Sequence, residues 1–186
     1  MTTDALYKSL NYVNHSREKR AEMAMLVAKN PHLIAPLFAI AFTVDDPISC
    51  KACWVLEFTA KEDLPYIFPY LTLFTANLSN VHLDSSIRPM AKICEYLTKS
   101  YFSKTPNSTQ KALTKSHLEK MTTVCFDWLI TDQKVAAKAY AMTSLLLLGK
   151  KFKWILPELK VILEKNYPEG SAAYKARARL TLAKIK

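Results

Sequence analysis

The sequence predicts an all-α protein, a superhelix of stacked antiparallel hairpins with about nine or ten helices. Three observations point there. Apolar residues recur with a helical rather than an alternating period along most of the chain. Only two glycines occur in 186 residues, which argues against β folds built on tight turns and against nucleotide folds built on glycine loops. Prolines and polar elbows also punctuate the chain every 30 to 45 residues or so, about the length of a helical hairpin. An apolar share of 50% with 23% charged residues suits one globular domain, 1–186, with a sizeable core.

Thr131 to Tyr167 is the template hairpin. A cap at Thr131 or Asp132 precedes an Ala- and Leu-rich helix, and Gly149 is placed to close it in the left-handed conformation. Lys150 and Lys151 form a solvated elbow, and a second helix runs from Phe152 to Asn166.

In chain order, a first helix covers Thr3 to Val13 and a second starts near Ser16. Pro31 opens a third, which Pro36 bends or delays. Asp46-Pro47 is a cap followed by proline in the first turn, starting a helix to Thr59. An apolar partner helix follows from Leu64 to Ser79, with Pro69 as a local kink, and the next begins at Asp84, Ser85 or Ser86. The stretch from Lys104 to Gln110 is the most loop-like in the chain. A long helix is predicted over Thr109–Ile130, and a basic one after Pro168–Ser171. The resulting units are 16–43, 46–79, 85–130, 131–167 and a half unit over 170–185.

Charge is uneven along the chain. Residues 1–99 carry ten basic and ten acidic side chains, whereas residues 100–186 carry sixteen and six, so the whole excess of +10 lies in the second part. Such an excess attracts nucleic acid, anionic lipid or acidic protein, or simply solvates a surface. Lys134, Lys138, Lys150, Lys151, Lys153, Arg177 and Arg179 are the candidate contacts, with Trp128 and Trp154 as stacking platforms.

The sequence offers little for catalysis. Cys50-x-x-Cys53 lacks the further ligands or the βαβ context that zinc or redox use requires. Cys94 and Cys125 also lie in apolar helical patterns, so all four are expected to be reduced core thiols. His15, His32, His82 and His117 are scattered, with no metal-binding spacing. No catalytic residue, metal or cofactor is assigned. No apolar run is long enough to span a bilayer, and residues 1–20 lack a secretory pattern, so a cytoplasmic protein without membrane insertion is expected.

Several residues resemble the first helices of the HEAT and armadillo-like repeat superfamily: Asp46-Pro47 followed by Cys50-Lys51 and Trp54, Ile87-Arg88 followed by Ala91, Val135-Ala136 followed by Ala139, and Tyr174-Lys175 followed by Ala178. The resemblance implies a concave face made by second helices, here 33–43, 66–79, 112–129 and 153–165, that binds protein or nucleic acid. Phe68, Tyr70 and Phe74 on that face are read either as a contact surface or as packing. The reading placed first is a non-enzymatic adaptor or scaffold for a protein partner, of undetermined oligomeric state. The alternative is a nucleic-acid-binding repeat protein, with a remote variant resembling the DNA-alkylation-repeat glycosylases in which Asp127, Trp128 and Trp154 share a cleft.

Overall fold

In the computed structural model, residues 1–185 are described. Among them eleven α-helices and three short 3-10 segments account for all regular structure, and there is no strand. The helices are α1 Thr3–Leu10, α2 Arg17–Lys29, α3 Ile34–Ala41, α4 Pro47–Glu62, α5 Leu71–Asn77, α6 Asp84–Tyr101, α7 Ser108–Ala112, α8 Lys115–Ile130, α9 Val135–Leu148, α10 Ile155–Asn166 and α11 Ala172–Leu182. The count exceeds the nine or ten expected because the chain breaks where one long helix was predicted over Thr109–Ile130. Leu113 turns to extended backbone, and Thr114 begins α8 with a capping box to His117, the hydroxyl accepting from the His117 N–H.

Caps and prolines set the boundaries. The Asp46 carboxylate accepts from the Ile48 N–H at 2.8 Å, starting α4 with Pro47 in its first turn. Helix α4 then runs three residues past the expected end, so Lys61 and Glu62 are helical and Asp63 is the cap. Pro31–Leu33 is a 3-10 turn, so α3 begins late enough to hold Pro36 in its first turn, where its missing N–H costs nothing. Leu64–Tyr70 is also 3-10, and only α5 is α-helical in a stretch read as one helix, because Pro65 and Pro69 remove donors at both ends of it.

The template hairpin is corrected at three points. Its cap is Lys134, with no side-chain bond, instead of Thr131 or Asp132. Gly149 is right-handed, at φ −59° and ψ −18°. A β-carbon there would fall 2.3 Å from Leu156 Cδ2, so close approach of α10 accounts for the glycine and a left-handed turn does not. Helix α10 begins at Ile155, because Phe152–Trp154 belongs to the turn.

Helices α2, α4, α6, α9 and α11 each pack on the next in a row. Helix α3 packs on α4, α8 on both α5 and α9, and α10 on α9. One continuous apolar cluster runs from Leu6 to Ala178 between these helices, with Phe38, Phe74, Leu56, Ile67 and Met90 fully buried. Phe74 is therefore core, and Tyr70 packs its ring 5.0 Å from Phe38. Cys53, Cys94 and Cys125 are buried and Cys50 half-buried, all as free thiols. Burial pushes the Cys53 thiol up to about 12, which keeps it protonated and unreactive.

Asp46 joins two elements, since it also accepts from the Tyr7 hydroxyl of α1 at 2.8 Å. Asp46→Ala is expected to lower stability by about 1 kcal/mol, as for other cap losses. Urea unfolding measures it, and an unchanged midpoint would show that another group caps α4.

Candidate functional site

A cavity of about 720 Å³ opens on the face made by α2, α4, α6 and the start of α9. Its position follows from side-chain spacing. Trp54, Glu57, Phe58 and Lys61 fall on one stripe of α4, and Ser85, Arg88, Lys92 and Tyr96 on one stripe of α6. On α6 this stripe is the side that reaches solvent, whereas on α4 Trp54, Glu57 and Phe58 are buried beneath the cavity and only Lys61 is exposed. His15 precedes α2, which supplies Arg17 and Arg20, while Asp84, Lys134 and Tyr140 complete the lining.

The floor is the α4–α6 junction. Glu57, 6% exposed, accepts two hydrogen bonds from the Arg88 guanidinium, at 3.2 and 2.6 Å. Burial works against the Arg88 charge, but the bonds and charge of Glu57, with a smaller contribution from Tyr140, leave its pKa raised. Pro89 lies inside α6 and has no N–H for the Ser85 carbonyl one turn earlier. The Trp54 indole N–H takes that place, donating to the Ser85 carbonyl at 2.7 Å. A helix defect is thus satisfied by the neighbouring helix.

Six cations and two carboxylates line the cavity. Glu57 is committed to Arg88, and Asp84 lies 3.5 Å from Lys134. Lys92 is bonded at 2.6 Å to the buried Glu95, which also holds Lys99 at 2.8 Å. Burial opposes the Glu95 charge, yet these two lysines hold its carboxyl below the ordinary range. Among the described residues, no carboxylate lies within ion-pairing distance of Arg17, Arg20 or Lys61. Arg20 is depressed first by burial and then by the charges of Arg88 and Arg17, with Glu57 opposing.

Aromatic rings are interleaved with these charges. The Arg20 guanidinium lies 5.0 Å from the Phe58 centroid and 6.0 Å from Trp54, and the Lys61 ammonium 5.7 Å from Phe58. The Lys92 ammonium sits 5.0 Å from Tyr96 and 4.3 Å from Tyr140. The exposed His15 ring covers Trp54 at 5.0 Å. Such contacts hold long side chains in place before any partner arrives.

Of the candidate contact residues named from the sequence, only Lys134 lines this cavity. Lys138 lines a second cavity of about 600 Å³ with Asp132, Lys165 and Glu169. Lys150 is 6.0 Å from the Phe102 ring, Lys151 donates to the Tyr101 hydroxyl at 3.3 Å, and Lys153 is exposed. Arg177 donates to the Thr143 hydroxyl at 3.4 Å, and Arg179 lines a third cavity with Glu164 and Tyr167. Trp128 is 3% exposed and has no open face for a base, although its neighbour Asp127 is exposed. Trp154 is 57% exposed and stacks on Phe126 at 5.7 Å. The segments 33–43, 66–79, 112–129 and 153–165 contribute none of the fourteen residues that line the main cavity, which faces the first helices. The missed signal was the polar and aromatic stripe on α4 and α6, set at helical spacing on otherwise apolar helices.

The junction yields a double-mutant test. Trp54→Phe removes the donor to the Ser85 carbonyl and is expected to cost about 1–3 kcal/mol. With Pro89→Ala also present, a backbone N–H is restored to that carbonyl, so the cost of Trp54→Phe should fall. Equal costs in both backgrounds, by urea denaturation, would mean the indole bond does not compensate for the proline.

No protein-family model, curated protein or solved structure matches this chain, so the reading of the cavity rests on its own chemistry.

Proposed function

We propose that the protein is a non-enzymatic binding module of the HEAT-like helical-repeat kind, and that its partner is a nucleic acid held in the α2–α4–α6–α9 cavity. The observation that carries this is the unmatched positive charge of Arg17, Arg20 and Lys61 beside the rings of Trp54, Phe58, Tyr96 and Tyr140. Gathering six cations around two carboxylates costs free energy, which a phosphate chain would return. The packing of α2, α4, α6, α9 and α11 in one row supports the stacked-hairpin reading. The cavity's place on first helices departs from the family pattern. Sequence alone put a protein adaptor ahead of nucleic acid, and the charge and rings lining the cavity support placing nucleic acid first.

A protein-partner reading keeps one specific support. Trp154, 57% exposed, stacks on the half-buried Phe126, and Ile130, 59% exposed, stands one turn further along α8.

Fluorescence anisotropy with labelled DNA and RNA at two salt concentrations tests the proposal. Micromolar binding that weakens steeply with salt is expected. The double variant Arg20→Gln, Lys61→Gln should lower the slope of log affinity against log salt by about two, at about one per lost phosphate contact. Lys150→Gln with Lys153→Gln should leave that slope unchanged. Absence of binding at low salt, or a slope that responds only to the second pair, would overturn the proposal.

A further inference from the structure

We infer that the cavity takes unpaired nucleic acid and discriminates against duplex, with the strand's phosphates on Arg17, Arg20 and Lys61 and its bases against His15, Tyr96 and Tyr140. This deepens the proposed function and rests on it.

Three features of the cavity carry the inference. The first is size. The cavity encloses about 720 Å³, too little for a stretch of duplex to enter. A single backbone with a few bases fits the same space.

The second is where the cations sit. Arg88 and Lys92 are on the floor and walls, with side chains 29% and 21% exposed, and Arg20 is half-buried over the rings of Trp54 and Phe58. A partner must enter the cavity to reach them. A duplex resting on the rim meets only Arg17, Lys61 and Lys134.

The third is the kind of surface between the charges. Rings recognise nucleic acid by stacking on base faces, and in a duplex those faces are already covered by neighbouring base pairs. Tyr96 and Tyr140 are half-buried with Lys92 held over both, so ring and ammonium form one composite surface anchored through Glu95. At the other end the exposed His15 ring lies tilted by 44° over Trp54. Its backbone is pinned by Arg20, which donates to the His15 carbonyl at 2.8 Å. A purely electrostatic duplex site has no use for rings set this way.

The test is competition in one anisotropy assay, with oligonucleotides of about 12 nucleotides offered as single-stranded DNA, single-stranded RNA and the matching DNA duplex. Single strands are expected to bind at least tenfold more tightly than duplex, the DNA and RNA arms separating the two sources of the same chemistry. Tyr140→Ala should weaken single-strand binding by about tenfold without changing the salt slope, whereas Tyr140→Phe keeps the ring and should bind as the parent does. His15→Ala removes an exposed ring packed only on Trp54 and should give a smaller loss in the same direction. Duplex bound as tightly as single strand would overturn this inference and leave the proposed function standing. Binding of neither would overturn both, and full affinity in both alanine variants would overturn the stacking.

Discussion

The junction between α4 and α6 is the constraint on which the groove depends. Two buried helices meet there through polar groups that neither can satisfy alone. Glu57 without Arg88 is a carboxylate removed from water, and Arg88 without Glu57 is a cation lodged among other cations. Replacing such a pair by apolar residues is often harmless, but removing one member is costly, so the pair sets geometry more than it adds stability. The indole bond to the Ser85 carbonyl sets the same geometry from the other side. Together they fix the spacing of the two stripes that make the cavity floor.

Positive charge in the cavity follows from that geometry. Five of its six cations come from residues 1–99, the part of the chain whose charges cancel by count. Their acidic counterparts are spent elsewhere. Asp46 caps α4 and bonds Tyr7, Asp45 lies 3.3 Å from His82, and Glu22 pairs with Lys19. The lysines of residues 134–153, by contrast, are spread over the start of α9, a second cavity and the elbow after it. A sum over sequence measures how many charges there are, and folding decides which of them share a field.

Much of the architecture was legible because it is local chemistry. Ser16, Asp46-Pro47 and Ser171 start helices where a short polar side chain can take a backbone N–H, and the apolar period of 131–166 gave its hairpin. Errors arose where local signals compete. Pro65 and Pro69 turned a run with helical period into 3-10 backbone, and Thr114 outcompeted helix continuation at Leu113. The candidate site was hardly legible at all. Lys134 lies on the cavity lining, whereas Trp128 is core, since a tryptophan at helical spacing reads the same whether it faces a groove or a neighbouring helix.

By itself, then, the sequence determined helical class, most helix starts and the size of the charge excess. Each depends on residues within a turn or two of one another, or on composition alone. Tertiary structure decided which stripe of each helix is open. It brought Arg20 to Phe58 and Arg88 to Glu57, across 38 and 31 residues, by packing α2, α4 and α6 side by side. A helix reveals from its own sequence that it has two faces, but only its neighbours settle which one water, or a partner, can reach.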